Sequence, residues 1–334
     1  MVKALPSEKM KTRLWRYLAL FFINLVLLSA CHLIAPSKPE LPPLKFAYAY
    51  WVGYFPVAIA QEKGFFAAQG VKVQTIYLGA SEAQLANLVA GKYDGLTIPL
   101  GNVVSVSTDN SALRVVLSTD ESAGADFVVA QSGVTTVADL KGKTIGADLG
   151  KFGELFVTKM LEMNGLTTDQ VTLIKANEEQ VVTRLQSNEI QAGHTWEPFV
   201  SQAVKAGARV LFTSKQTPGL IPSVITFRDS VVRDRPSDIQ AFVRAWFQAV
   251  DYWLAFPNEG NAIIAKTLKI KPETISRDGI KLLTLSDNRR AFIPSNTTNS
   301  LYHTAKLYTD FYIRTGALTR PPDISKILDP SFLK

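Results

Sequence analysis

The chain has 334 residues, with 36 Lys and Arg against 29 Asp and Glu, and a formal net charge of +7 at pH 7. It holds one cysteine, Cys31, and three histidines, His32, His194 and His303, far apart in sequence. No internal disulfide can form, thiolate catalysis and cysteine-ligated metal lack their residues beyond Cys31, and no histidine pair has metal-ligand spacing. No metal or other cofactor is expected.

The first thirty residues differ from the rest. Lys3, Lys9, Lys11, Arg13 and Arg16 face a single acid, Glu8, and an apolar run follows over 17–28, interrupted only by Asn24. A basic start, a short apolar stretch and small residues before a cleavage point predict a secretory signal peptide over 1–30. The run is short for a membrane span, which needs about 20 residues. Leu28-Ser29-Ala30-Cys31 resembles a bacterial lipobox. That resemblance implies that Cys31 is lipidated and becomes the new N-terminus. An uncleaved anchor is the alternative, and either arrangement keeps the rest of the chain on the outer side of a membrane. Residues 31–43, with Pro36, Pro39, Pro42 and Pro43, read as a short extended tether. Loss of the leader removes five basic residues and one acid and leaves a net charge of roughly +3, with no basic cluster that suits nucleic acid. The remainder is long enough for two lobes with separate cores.

Strand and helix patterns then alternate. Residues 45–50 read as a strand and Pro56 opens a helix. Gly64 and Gly70 break the chain before a strand over 71–78. Ser81 and Gln84 have capping-box spacing and start a helix with Ala83, Leu85, Leu88 and Val89 on its apolar face. Strands are predicted at 93–98, 113–117, 127–130, 144–147, 171–174, 190–195, 208–212 and 223–227. Helices are predicted at 154–163 and 180–186, and 120–126 reads as an acidic loop. From 238 onward the pattern is almost all helical, and 241–253 has apolar residues at helical spacing, a core face. The alternation predicts an α/β chain with mostly parallel sheets flanked by helices. Such sheets take ligands at strand carboxyl ends.

Several segments together carry a resemblance. They are Ala49-Tyr50-Trp51-Val52-Gly53-Tyr54-Phe55-Pro56, Ala60-Gln61-Glu62-Lys63-Gly64-Phe65-Phe66, Gly70-Val71-Lys72-Val73, Ala90-Gly91-Lys92-Tyr93-Asp94, Asp139-Leu140-Lys141-Gly142-Lys143 and Trp196-Glu197-Pro198-Phe199. Over about 44–257 the chain resembles the solute-binding family that serves ABC importers for nitrate, sulfonate, taurine, bicarbonate and thiamine-pyrimidine precursors. The resemblance implies a type II periplasmic-binding fold, with lobe one at 44–126 plus 222–334 and lobe two at 127–221. It also implies a small-molecule solute captured by lobe closure, ABC permease and ATPase partners, and a monomer on the periplasmic side of the membrane. A membrane-tethered ligand sensor is one alternative. Thiamine-pyrimidine synthases, enzymes that resemble these binders, are another, but they carry a cysteine-rich iron motif whose residues are missing here. No enzymatic activity is expected.

Each candidate ligand residue has two readings. Trp51 and Tyr54 follow the first strand and form either an aromatic platform or interlobe packing. Asn102 opens a helix after the strand at 93–98, as a ligand group or a cap. Asp120, Ser122 and Asp126 sit in the acidic loop with Glu121; that crowding disfavours an anion and suits a hydrogen-bond donor, or it fixes the hinge. Phe152, beside Lys151 and Glu154, stands where the resemblance would place small hydroxyl residues in anion binders. Thr195, Trp196 and Glu197 end the strand at 190–195, with Trp196 stacking and Glu197 accepting hydrogen bonds or latching the lobes. His194 reads as a packed strand residue. Two ligand classes stay open: a nitrogen-rich, donor-bearing solute, or an oxyanion such as a sulfonate, nitrate or bicarbonate.

Overall fold

Among the described residues, eleven strands build two sheets. They are β1 (Leu44–Tyr48), β2 (Val73–Tyr77), β3 (Gly95–Pro99), β4 (Leu113–Ser122), β5 (Asp126–Ala130), β6 (Thr144–Ala147), β7 (Thr172–Lys175), β8 (Ala192–Trp196), β9 (Arg209–Thr213), β10 (Pro222–Arg228) and β11 (Ile280–Leu282). The first sheet has the order β11-β4-β10-β3-β1-β2 and the second β7-β6-β8-β5-β9. This computed structural model describes residues 41–79, 84–107 and 112–334. The leader, Cys31, most of the tether, Ser81 and Ala83 lie outside the described residues. Among the described residues no helix is long and apolar enough to cross a membrane.

Both sheets are mixed, where the alternation of elements suggested mostly parallel strands. β1 pairs in parallel with β2 and β3, and β6 with β7 and β8. The remaining pairs are antiparallel. The reason is the chain path. It leaves the first sheet along β4 and returns along β10, so these neighbours run in opposite directions, as do β5 and β9 in the second sheet.

The segment at 120–126 is mostly strand rather than loop. β10 captures its backbone on one side, with Ser223 opposite Asp120, and β11 on the other, with Leu282 opposite Asp120. Asp126 already belongs to β5, opposite Trp196. Strand pairing on both flanks overrides the poor strand propensity of the acids. The same pairing places β11 inside the otherwise helical C-terminal region.

The first sheet is covered by the helix Pro236–Ala255, whose apolar stripe is as the sequence predicts. It packs against the helices Pro56–Glu62 and Phe65–Ala68. Phe242 sits 4.6 Å from Phe46 and 5.2 Å from Phe227 between ring centroids, and Trp246 and Trp253 are fully buried.

The chain passes between the sheets twice, at 123–125 and at 214–221. Gly124 has φ +130, a conformation that disfavours a side chain. Ser214 ties the two passages together. Its hydroxyl lies 2.7 Å from that of Ser122 and accepts from the Gly124 amide at 2.8 Å. Ser122 and Ser214 are fully buried. Ser214→Ala is expected to cost about 1–2 kcal/mol, because it leaves buried polar groups without a partner. Urea denaturation checks this, and an unchanged midpoint would count against it.

Candidate functional site

Trp51, Asn102, Phe152 and Trp196 all stand at or just beyond the carboxyl end of a strand in a parallel pair: β1, β3, β6 and β8. Such ends present side chains and loops to a ligand. Trp51 belongs to the first sheet's side. Its indole Nε1 donates to Asp120 Oδ2 at 2.8 Å, and Thr119 Oγ1 donates to Asp120 Oδ1 at 2.7 Å. Asp120 is fully buried, and that burial pushes its carboxyl up to about 7. The bonds from Thr119 and Trp51 pull the other way, and the charges of Asp126 and Glu121 add to the rise. Tyr54 packs beside Trp51, and its hydroxyl donates to Ser223 Oγ at 3.2 Å. Burial, then the charge of Asp120, raises its phenol well above the ordinary value.

Trp196 belongs to the second sheet's side. Phe152 stacks on it at 6.1 Å with planes 19° apart, and His194 meets it at 5.7 Å. His194 Nε2 lies 2.9 Å from Asp126 Oδ1, and Nδ1 lies 3.6 Å from Glu178 Oε1. Asp126 faces Trp196 and Val128 faces His194 in the β5–β8 register, so Asp126 and His194 are diagonal neighbours. Burial alone would lower the imidazole. The hydrogen bond and charge of Asp126 and the charge of Glu178 outweigh it and raise the group. Burial pushes Glu178 up to about 7 against the pull of His194. Lys151 is spent on Asp148 at 2.6 Å.

The two sides meet ring to ring. Trp51 and Trp196 approach edge to face, 6.2 Å between centroids with planes 81° apart. The structure therefore brings together Trp51, Tyr54, Asp120, Phe152 and Trp196, with Asp126 beneath Trp196. The other residues singled out from the sequence are placed differently. Ser122 is bonded to Ser214, and Thr195 Oγ1 donates to the Glu178 carbonyl at 3.1 Å. Glu197 is exposed and accepts from Ser201 Oγ at 2.7 Å. Asn102 keeps a buried Oδ1 with no hydrogen-bond partner. Sequence reasoning missed Glu178 and the pairing of His194 with Asp126. No spacing signals a contact across 68 residues; only the strand register creates it. Among the described residues no group of three or more His, Cys, Asp and Glu side chains is placed to hold a metal ion.

Two mixed sheets joined by two crossings, with a seam at the strand ends, define a periplasmic-binding-protein fold. The alkanesulfonate-binding protein SsuA from Xanthomonas axonopodis pv. citri, solved bound to MOPS, matches with a TM-score of 0.67 at 15% identity, over 85% of this chain and 96% of that one. The desulfurization enzyme DSZB shares the fold, with a TM-score of 0.62 at 16% identity over 87% of this chain and 97% of its own. The NMT1-like family model matches residues 37–269, and the chain belongs to that family. Two curated relatives carry provisional binding-protein names. One, from Brucella abortus (strain 2308), is 29% identical over 252 residues, 72% of this chain and 77% of the relative. The other, from Bacillus subtilis (strain 168), is named for aliphatic sulfonates and is 24% identical over 286 residues, 84% of each chain.

Proposed function

We propose that this chain is the extracytoplasmic solute-binding protein of an ABC importer, held to the membrane by a lipid on Cys31. It would present its loaded form to a permease and ATPase pair. The observation that carries this reading is the meeting of Trp51 and Trp196 at 6.2 Å, one from each sheet's side, with Phe152 stacked behind. Aromatic faces delivered by both sheets suit a small solute clasped between them. The names of the relatives, binding proteins in Brucella and Bacillus, support the same reading.

The ligand residues proposed are Trp51, Tyr54, Phe152 and Trp196 as walls and Asn102 as a polar anchor. Asp120 and Asp126 serve the walls from behind, because both are buried and bonded within the protein. The unpaired Oδ1 of Asn102 favours a solute that donates hydrogen bonds. A sulfonate is the second reading, supported by the name of the Bacillus relative.

A calorimetric panel on the full chain tests this, with alkanesulfonates in one arm and flat pyrimidine and guanidine compounds in the other. Trp196→Ala is expected to weaken the compound that binds on the order of tenfold, the loss of one aromatic wall. Unchanged affinity in folded Trp51→Ala and Trp196→Ala variants would remove the seam as the binding site.

A further inference from the structure

The helix Phe152–Met163 starts at the seam, with Phe152 stacked on Trp196. The first amides of a helix form its positive end, which ordinarily draws an anion. Here a side chain of the same helix takes that place. Glu154 folds back over the first turn, and its Oε2 accepts from the Gly150 amide at 2.7 Å. The surrounding strand ends add no free positive charge. Across residues 49–55, 100–103, 148–154, 176–179 and 197–198, Lys151 is the one basic side chain, against Asp148, Glu154, Glu178, Glu179 and Glu197. Lys151 is bonded to Asp148 at 2.6 Å.

The helix Leu301–Thr315, which packs on the helix Leu100–Val106 of the first sheet's side, also meets Phe152–Met163. A Cβ built on Gly150 would lie 4.0 Å from Ala317 Cβ, and Arg314 Nη2 lies 3.7 Å from Glu162 Oε1. Tyr312 of this helix is fully buried, and its hydroxyl has no hydrogen-bond partner. Burial, then Tyr308, then the charges of Glu154 and Asp148 raise its phenol well above the ordinary value, so the hydroxyl keeps its proton. A buried hydroxyl without a partner is costly to keep, and it points to a group that completes it.

We infer that Glu154 is a built-in occupant of the anion seat at the start of this helix, and that with Tyr312 it turns the seam against oxyanions and toward a small organic cation bearing N–H donors. This deepens the reading of the seam as the solute's seat and rests on it. An oxyanion would have to displace Glu154 from the Gly150 amide or lie beside its charge, and either is unfavourable. A cation meets the Glu154 carboxylate, the lone pairs of the Tyr312 hydroxyl and the unpartnered Oδ1 of Asn102. The faces of Trp51, Phe152 and Trp196 attract it as well. Lys151 does not oppose it, because Asp148 neutralises that charge.

Two flat probes of similar shape and opposite charge, benzamidinium and benzenesulfonate, titrated calorimetrically into the full chain near neutral pH, test this. The unaltered chain is expected to bind benzamidinium more tightly, on the order of tenfold or more. Glu154→Ala vacates the seat, and is expected to weaken benzamidinium and to strengthen benzenesulfonate on the order of tenfold. Glu154→Gln keeps an oxygen for the Gly150 amide but not the charge. It is expected to weaken benzamidinium without gain for benzenesulfonate, and it serves where the alanine variant does not fold. Tyr312→Phe is expected to weaken benzamidinium while the melting point holds or rises, since it removes a hydroxyl without a partner. Preference of the unaltered chain for benzenesulfonate, binding of neither probe, or the same preference in both Glu154 variants would overturn the inference. Tight benzenesulfonate binding that Trp196→Ala abolishes would strike the cation and leave the seam as the seat. Binding that Trp51→Ala and Trp196→Ala both leave untouched would strike the seam itself.

Discussion

Alanine in place of Gly53 is expected to destabilise the chain by about 3 kcal/mol and to break the bond between Trp51 and Asp120. A methyl group there would lie 2.0 Å from Asp120 Oδ1 and 2.2 Å from its carboxyl carbon, far inside any contact distance. The obstacle is not the loose end of a surface side chain. It is a fully buried carboxyl held by Thr119 and Trp51. To make room, the carboxyl must rotate and abandon both donors, which adds buried unpaired groups to the steric cost. Urea denaturation measures the loss. The partner experiment is Asp120→Ala, which removes the two nearest atoms of the obstacle and leaves its Cβ, 2.8 Å from the methyl position. The double variant should lose less than the sum of the two single losses, because most of the clash is gone. A loss in Gly53→Ala below about 0.5 kcal/mol would show that the approach of Gly53 to Asp120 is looser than described.

Asp126→Ala is expected to cost about 3–5 kcal/mol, the range for breaking one partner of a buried ion pair. It removes the acceptor 2.9 Å from His194 Nε2 and leaves the imidazole enclosed by Phe152, Phe156 and Trp196. Glu178, at 3.6 Å from Nδ1, is too far to replace that hydrogen bond. The loss should depend on pH with a definite sign. His194 is held above its ordinary value of 6.5, so the pair contributes fully in acidic solution and fades as pH rises through the folded value. Denaturation at pH 6 should therefore separate Asp126→Ala from the parent more widely than denaturation at pH 8.5. Equal separation at both values would mean that the imidazole does not change charge between them in the native chain.

Much of this architecture could be read from residue patterns. Apolar alternation located most strands to within a few residues, and the helical spacing over 241–253 marked the face that buries Trp246 and Trp253. Trp51, Phe152 and Trp196 were legible because each follows a strand and therefore falls at its carboxyl end. Asp120 was singled out as well, but as part of an acidic loop; its burial was not legible, because an acid in a run of acids reads as solvated, and two flanking strands make it an interior residue. Glu197 illustrates a local contact that its neighbours in sequence did not announce: its place next to Trp196 suggested a ligand contact, and the structure shows its carboxylate exposed and accepting from Ser201, one helical turn further on. Glu178 carried no local signal at all. It becomes part of the site only because the loop after β7 reaches β8, on the far side of β6 in the sheet order, where Thr195 Oγ1 donates to the Glu178 carbonyl; no pattern within either segment encodes this.

The position of β10 bears on the order in which the molecule can assemble. β10 is central in the first sheet, bonded to β3 on one side and β4 on the other. Yet it is supplied by Pro222–Arg228, after the whole of the second sheet. On a growing polypeptide, β5 through β9 are complete while β3 and β4 still have no strand between them. The half made in the middle of synthesis can therefore condense as a unit while the half begun first stays open. That first half must wait for sequence more than a hundred residues downstream of β3, a long-range closure of the kind that slows folding.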